Sequence, residues 1–135
     1  MVSVVLVIIC LFGITACDNS TEKAELWENA TYQTDTELGK GEKTVVVEVK
    51  AEEKEVTFTI KTDKKTVGEA LFEHDLISGD EGEFGLYIKT VNGITADYDV
   101  DKTYWAFYID GEYATEGVDT TEITEGVTYQ LVRSK

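Results

Sequence analysis

The sequence predicts a small α+β domain in which one helix packs across one face of a mixed β-sheet. Apolar residues alternate with a period of two in several segments, which is typical of half-buried strands. One segment instead has apolar residues at helical spacing, and glycine-containing turns separate the later strands. The predicted element order is β-β-α-β-β-β over residues 43–135. A β-grasp accounts for this order most economically, with the first strand parallel to the last.

The first two strands are predicted to form an antiparallel hairpin. Apolar and polar residues alternate on both sides of a short polar turn at residues 51–54. Each strand has one apolar side, made of Val45, Val47 and Val49 in the first strand and of Val56, Phe58 and Ile60 in the second.

A short helix is predicted to follow the hairpin and to run to about His74. Thr66 and Glu69 have the spacing of a capping box, in which side chains satisfy free N–H groups at the helix start. The apolar residues after the cap have helical spacing, and they are Val67, Ala70 and Leu71.

The second half of the domain is predicted to contain three strands. An irregular loop with Gly79, Gly82 and Gly85 leads into the first of them. The strands are expected at residues 86–91, 103–109 and 127–131, and the turn signals beside them are Asn92-Gly93, Asp110-Gly111 and Glu125-Gly126.

The N-terminus carries a motif that predicts attachment to a membrane. Residues 1–16 have no charged side chain, and Ile14-Thr15-Ala16-Cys17 resembles the bacterial lipobox, whose cysteine is acylated and becomes the new N-terminus. The resemblance implies a signal peptide over residues 1–16, a lipid on Cys17 and a position at the extracellular face of the cell membrane. A cleaved secretory signal and a single spanning helix are the alternatives, although a span needs roughly 20 apolar residues and this run is shorter.

Residues 17–42 are predicted to be the lipidated N-terminus and a flexible spacer that holds the domain away from the membrane. They are polar and show no periodicity apart from a short patch at Leu26 and Trp27. Trp27 either is a stray aromatic residue in this spacer or packs on the domain, and we expect the first.

The charge of the chain excludes one class of partner. The sequence has 27 acidic and 12 basic residues, and its formal net charge is −15. Such a surface repels nucleic acids, so we expect no nucleic-acid binding. Cys10 lies in the predicted signal peptide and Cys17 carries the predicted lipid, so the exported domain has neither a free thiol nor a disulfide.

No group of residues in the sequence points to catalysis or to a required cofactor. The chain has one histidine and no glycine-rich phosphate loop, and none of its many carboxylate pairs is distinguished by spacing. Asp97, Asp99 and Asp101 have the spacing that opens a calcium loop, but Lys102 and Tyr108 stand where that loop needs glycine and glutamate. We therefore expect a solvated acidic turn, no metal site and no enzymatic activity.

Aromatic residues are concentrated in the second half of the chain. Because successive side chains of a strand point to opposite faces, the aromatics at residues 103–109 must lie on both sides of the sheet. An aromatic face on an acidic surface can contact a planar ligand or a protein partner. Tyrosines that merely cover an open sheet face are an equally good interpretation.

These strands and turns resemble the transcobalamin C-terminal-like family, whose members occur alone on bacterial lipoproteins and as the second domain of vitamin B12 carriers. Residues 85–93 resemble the family's glycine-x-tyrosine strand with its glycine turn, and Tyr104-Trp105 matches its aromatic-tryptophan strand. The resemblance covers residues 43–135 and implies a β-grasp fold. The helical barrel that holds most of the corrinoid in the carriers has no counterpart in this sequence. The other matching features are the glycine turns Asp110-Gly111, Gly117-Val118 and Glu125-Gly126.

We therefore expect a membrane-anchored extracellular module that captures a soluble small molecule, with cobalamin or a related corrinoid as the ligand that the resemblance implies. The ligand would be handed to a transporter component. The alternative is a surface interaction protein that docks a protein or a cell-wall polymer through the same sheet face. The expected contacts are aromatic rings that stack on a flat ligand and one hydroxyl that forms a hydrogen bond, namely Tyr87, Thr90, Trp105, Tyr108 and Tyr113.

Overall fold

The computed structural model describes residues 26–83 and 85–135 of the chain. The predicted signal peptide and Cys17 lie outside these residues, and so does Phe84. Within the described part, none of the helices is long and apolar enough to cross a membrane. The strands are β1 (Thr36–Gly39), β2 (Lys43–Ala51), β3 (Lys54–Thr62), β4 (Ile77–Gly82), β5 (Gly85–Val91), β6 (Ile94–Thr95), β7 (Tyr104–Ile109), β8 (Glu112–Tyr113) and β9 (Thr128–Ser134), and the helices are α1 (Val67–Glu73) and α2 (Tyr98–Asp101).

The strands form two sheets, and the α+β class predicted from the sequence is confirmed. The larger sheet has the strand order β1-β3-β2-β9-β7-β8, and the smaller sheet has the order β4-β5-β6. The larger sheet is mixed, because β2 runs antiparallel to β3 and parallel to β9. The first and last strands of the predicted order are therefore parallel, as expected.

The hydrophobic core lies on one face of the larger sheet. The predicted hairpin is present, with Val47 opposite Phe58 across β2 and β3, and both side chains are fully buried. Tyr129 and Leu131 on β9 continue this buried surface and are 1% and 0% exposed. The alternation in the sequence thus marks the face that packs against the rest of the domain.

Helix α1 begins and ends where the sequence predicts. Thr66 caps it, since the threonine side chain accepts a hydrogen bond of 3.2 Å from the Glu69 backbone N–H. The Glu69 carboxylate accepts from the Thr66 hydroxyl at 3.1 Å, where a full capping box would use the Thr66 backbone N–H. The apolar side of α1 covers the core with Val67, Ala70 and Leu71, which are all fully buried.

The prediction of an irregular loop before β5 is wrong, because strand β4 lies there. β4 pairs antiparallel with β5, so that Asp80 lies opposite Tyr87, and the register shifts between Ser78 and Gly79. A Cβ atom on Gly79 would lie 2.0 Å from the Tyr87 carbonyl oxygen. Glycine is therefore required for the close approach of two backbones at a bulge, and it does not mark a loop here.

The interpretation of residues 17–42 as a spacer is wrong for residues 26–42, which belong to the folded domain. Trp27 is 5% exposed, and its indole N–H donates a 3.0 Å hydrogen bond to the Ala51 carbonyl oxygen, so it is no stray aromatic residue. Strand β1 adds to the larger sheet by pairing in parallel with β3. Burial of a large ring with its N–H satisfied outweighs the polar character of the neighbouring residues.

The predicted Asn92-Gly93 turn also holds this N-terminal segment. Asn92 is fully buried with φ 51°, and Gly93 has φ 80°, as a tight hairpin turn requires. The Asn92 side-chain oxygen accepts from the Tyr32 backbone N–H, and the Asn92 amide donates to the Tyr32 carbonyl oxygen, both at 2.9 Å. One side chain thus joins the smaller sheet to the segment before β1.

Candidate functional site

Strand β7 organises the aromatic region, because its side chains alternate between the two faces of the larger sheet. Trp105 and Phe107 belong to the core and are 7% and 8% exposed. Tyr108 is half-buried, and alternation places it on the opposite face. The core face is further fixed by the stacking of Phe107 on Tyr129, whose ring centroids are 5.9 Å apart.

Trp105 forms the floor of a cavity instead of an open stacking surface. Its indole N–H donates to the Lys89 carbonyl oxygen at 3.2 Å, which ties β7 to β5 of the smaller sheet. Because this donor is already used and little of the ring is exposed, Trp105 offers a ligand a limited apolar contact. The sequence predicts Trp105 as one of the rings that stack on a flat ligand, and its exposure of 7% limits the surface that it has for such stacking.

Three of the five residues selected from the sequence line one cavity of about 220 Å³, which we call the tryptophan pocket. Trp105 lies at its base, and Tyr87 and Tyr113 are 43% and 63% exposed. The two tyrosines are therefore the residues that can present ring surface to a bound molecule. The remaining wall is formed by Leu86, Ile88, Phe107, Ala114, Thr115, Glu116, Gly117 and Val118.

The other two selected residues lie outside this cavity. The Thr90 hydroxyl oxygen is 3.2 Å from the Thr95 hydroxyl oxygen on β6, so it is engaged within the smaller sheet. Tyr108 packs edge-on against Tyr113 with centroids 5.5 Å apart and the ring planes at 85°. Thr90 and Tyr108 therefore do not line the tryptophan pocket, and Tyr108 contacts Tyr113, which does.

A larger cavity of about 540 Å³ also has Tyr87 in its wall, and the sequence analysis missed it. We call it the tyrosine–aspartate pocket. The signal in the sequence is Tyr98, one of the aromatic residues of the second half of the chain, which stands between Asp97 and Asp99. The wall comes from β4, β5, β7 and the region of α2, and it contains Asp80, Tyr87, Lys89, Asp97, Tyr98, Asp99 and Tyr104.

The local structure of α2 positions two of these side chains. The Asp97 carboxylate caps the helix by accepting a 3.1 Å hydrogen bond from the Asp99 backbone N–H. Tyr98 therefore stands on the first turn and is 51% exposed. Its ring already attracts a cation, because the Lys102 Nζ atom lies 5.0 Å from the ring centroid.

Lys89 supplies the positive charge of the tyrosine–aspartate pocket. Its Nζ atom lies 2.9 Å from Asp80 Oδ2. The hydrogen bond and negative charge of Asp80 raise the pKa of Lys89, and Asp97 and Tyr87 contribute in the same direction. The wall of this pocket therefore stabilises a protonated ammonium group.

The aspartates that resembled a calcium loop point to different partners. Asp97 caps α2, whereas Asp101 accepts hydrogen bonds from Thr103 and pairs with Arg133, whose Nη2 atom is 2.8 Å from Asp101 Oδ2. The Thr103 hydroxyl is the main cause that lowers the pKa of Asp101, and Arg133 adds to it. Among residues 26–83 and 85–135, no group of three His, Cys, Asp or Glu side chains is placed to hold a metal ion.

The opposite face of the larger sheet carries a carboxyl pair that spacing alone did not distinguish. Glu48 on β2 and Glu55 on β3 are diagonal neighbours in the hairpin register. The hydrogen bond that protonated Glu48 donates to the Glu55 carboxylate, partial burial and the Glu55 charge raise the pKa of Glu48 to about 7. Gln130 Nε2 donates to Glu48 Oε1 at 3.3 Å. Neither carboxyl lines either pocket, so the pair bears on stability and not on the candidate sites.

Comparison with known proteins shows similarity to one family model and to solved structures. A family described as a domain of unknown function (DUF4430) matches residues 64–128. A crystal structure of a protein from Ruminococcus gnavus ATCC 29149, provisionally named as metal-binding, is 34% identical with a TM-score of 0.66, and the match covers 70% of this chain and 98% of that protein. Haptocorrin in complex with Cbi is 20% identical with a TM-score of 0.48, over 73% of this chain and 27% of haptocorrin. No curated protein matches the chain.

Proposed function

The chain belongs to the same family as the Ruminococcus gnavus protein, and we propose that it is a non-enzymatic module that captures a soluble small molecule. We propose that the protein is located at the extracellular face of a bacterial membrane, with a lipid on Cys17 as the anchor. This location is inferred from the sequence Ile14-Thr15-Ala16-Cys17. Acyl chains contribute about 0.8 kcal/mol per buried CH₂ group, so several of them would hold a domain of this size firmly.

The observation that carries the proposal is the tryptophan pocket. Tyr87 and Tyr113 are exposed tyrosines in the wall of one cavity, and Trp105 closes its base. Exposed tyrosine rings beside a concave apolar surface are what a flat ligand needs for stacking. The carboxyl of Glu116 and the hydroxyl of Thr115 in the same wall can bind polar substituents of that ligand.

The size of this pocket limits the way in which a large ligand can bind. Ligand pockets that enclose a drug-sized molecule usually measure about 300–1,000 Å³, and the tryptophan pocket measures about 220 Å³. A corrinoid would therefore lie across the mouth of the pocket, against Tyr87 and Tyr113, with one substituent inside. Such one-sided contact agrees with a domain that supplies only part of a ligand cradle.

The proposed ligand class is a corrinoid or a related planar cofactor, and the proposed fold is a β-grasp of the transcobalamin C-terminal-like kind. One helix against a mixed sheet, with β2 parallel to β9, supports that fold. The ligand class is supported by the matching order of strands and glycine turns in the sequence. A transporter component is the proposed recipient of the ligand.

The name of the Ruminococcus gnavus protein describes that protein as metal-binding. We do not favour this function for the present chain. The described residues lack a group of three acidic, histidine or cysteine side chains that could form an ordinary metal site. Carboxylate and imidazole ligands in such numbers are what protein sites for Ca²⁺ and Zn²⁺ use.

Binding of cobinamide and cobalamin to the full chain in detergent, measured by native mass spectrometry and calorimetry, tests the proposal. We expect Tyr113→Ala and Tyr87→Ala to weaken binding about fivefold or more, since an aromatic contact at a binding site contributes about 1 kcal/mol or more. Tyr98→Ala is the matched control, because the exposure of Tyr98 lies between those of Tyr87 and Tyr113 but Tyr98 lies outside the tryptophan pocket. Equal binding by all four proteins would show that this pocket is not the site.

A further inference from the structure

We propose that the tyrosine–aspartate pocket is a second binding site, which shares Tyr87 with the tryptophan pocket, and that its ligand is an organic cation, namely an ammonium group with apolar substituents. The cavity has a volume of about 540 Å³, which lies within the range of small-molecule sites. It is formed by residues from both sheets and from the region of α2, so it exists only in the folded domain.

The charge of the pocket selects a cation. Three aspartates and one lysine line it, which leaves two negative charges in excess. The whole chain carries a formal charge of −15, so the field of the rest of the surface has the same sign. A positively charged ligand is therefore attracted to the pocket, and an anionic ligand is repelled.

The carboxylates of the pocket differ in their availability to a ligand. Asp80 is paired with the Lys89 ammonium group at 2.9 Å, and Asp97 accepts the N–H group that caps α2. The Asp99 carboxylate forms no hydrogen bond or ion pair with another described residue. Asp99 is thus the acid that can bind an incoming ammonium group without breaking an existing contact.

Three tyrosine rings make an organic cation a better ligand than a metal ion. Tyr87, Tyr98 and Tyr104 line the cavity, and the first two are 43% and 51% exposed. Aromatic faces attract weakly hydrated ammonium groups that carry apolar substituents. Metal ions such as Ca²⁺ instead need six or more oxygen ligands, and the described part of the chain has no acidic cluster that supplies even three.

The chain's own lysines show that this region accommodates ammonium groups. The Lys102 Nζ atom lies 5.0 Å from the Tyr98 ring centroid. The Lys89 Nζ atom lies beside Asp80 in the same wall. These contacts are the two that the proposal assigns to a ligand, namely a cation over a ring and a cation beside a carboxylate.

The test is an NMR titration of the ¹⁵N-labelled full chain in detergent with choline, and with 3,3-dimethyl-1-butanol, which has the same shape but no charge. We expect saturable choline shifts at Tyr87, Tyr98 and Asp99, and binding of the neutral alcohol at least about fivefold weaker. Tyr98→Ala and Asp99→Asn should each weaken choline binding about fivefold or more. Tyr113→Ala is the control that should leave it unchanged, because Tyr113 lies outside this pocket.

Several results would overturn the assignment. These are the absence of saturable shifts at millimolar choline, equal affinity for the uncharged alcohol, and equal choline affinity in the wild type and both pocket variants. Displacement of choline by low concentrations of CaCl₂ would mark a metal site instead. Cobinamide is titrated into the same samples. Binding of cobinamide without binding of choline would contradict only the cation site, and binding of choline without binding of cobinamide would contradict only the proposed function.

Discussion

Replacement of Trp27 by alanine is the sharpest test of where the folded domain begins. The ring is 5% exposed and belongs to the hydrophobic core, and its N–H donates to the Ala51 carbonyl oxygen at 3.0 Å. The Nζ atom of Lys54, at the start of β3, lies 4.9 Å from the centroid of the Trp27 ring. Three different contacts of residues 43–135 would therefore be lost or altered by one substitution outside that range.

The expected loss follows from the type of burial. Truncation of a buried aromatic side chain to alanine costs about 3–5 kcal/mol, and we expect about 3 kcal/mol because the N-terminal segment can relax around the cavity. Trp27→Phe keeps an aromatic ring but removes the hydrogen bond to Ala51 and part of the buried ring, so it should cost about 1–3 kcal/mol. Glu28→Ala is the matched control at an exposed neighbouring position and should change stability by less than about 0.5 kcal/mol.

Urea unfolding followed by far-UV circular dichroism gives these values without relying on tryptophan fluorescence. The midpoint should fall in the order Glu28→Ala, Trp27→Phe, Trp27→Ala, with similar slopes. An unfolding free energy of Trp27→Ala within about 0.5 kcal/mol of the wild type would refute our account. In that case, residues 26–33 would contribute nothing to the core, and the boundary at residue 43 would be correct after all.

Three further predictions concern the anchor, the helix and the carboxyl pair. Cys17→Ser should move the chain from the detergent phase to the aqueous phase on partition, because serine offers no thiolate to acylate; equal partition would remove the lipid anchor. Thr66→Ala should lose about 1 kcal/mol of stability with the cap bond, and Leu71→Ala about 2–5 kcal/mol; a benign Leu71→Ala in urea unfolding would mean that α1 does not cover the core. The pKa of Glu48 is raised to about 7 from 4.5, so the folded state holds this proton more tightly than the unfolded state, and stability should fall as the pH rises from about 4.5 to 7. In Glu48→Gln, the loss of unfolding free energy over this pH range should be smaller by about 1 kcal/mol, a value that allows for solvent screening. Identical pH profiles of the wild type and Glu48→Gln would show that the Glu48–Glu55 pair is not coupled.

The parts of the fold that the sequence predicts correctly are those determined by local periodicity. The β2–β3 hairpin and α1 each follow from residues close together in the chain, namely alternating valines in one case and the Thr66 cap in the other. Antiparallel hairpins and capped helices form mainly from such neighbouring residues.

The parts that the sequence did not predict depend on contacts between distant residues. Trp27 finds its hydrogen-bond acceptor 24 residues away, and Tyr32 is held by Asn92, 60 residues away. No pattern within residues 17–42 indicates either contact. Strand β4 was missed for a related reason, because Gly79 is needed for an approach to the Tyr87 backbone that only the folded pairing shows.

The same distinction explains the outcome for the candidate sites. Aromatic content in the sequence points to Tyr87, Trp105 and Tyr113, but their position around one cavity depends on the pairing of β7 with β8 and on the Trp105 bond to β5. The surroundings of Tyr87 could not be predicted, because Tyr87 lies opposite Asp80 in the β4–β5 pair and the sequence does not predict β4. With β4 in place, Asp80 lies in the same pocket wall as Tyr87 of β5 and Tyr104 of β7. The β4 and β5 side of the tyrosine–aspartate pocket is thus a product of the bulged pairing that Gly79 permits, whereas Asp99, the acid proposed to bind the cation, comes from the region of α2.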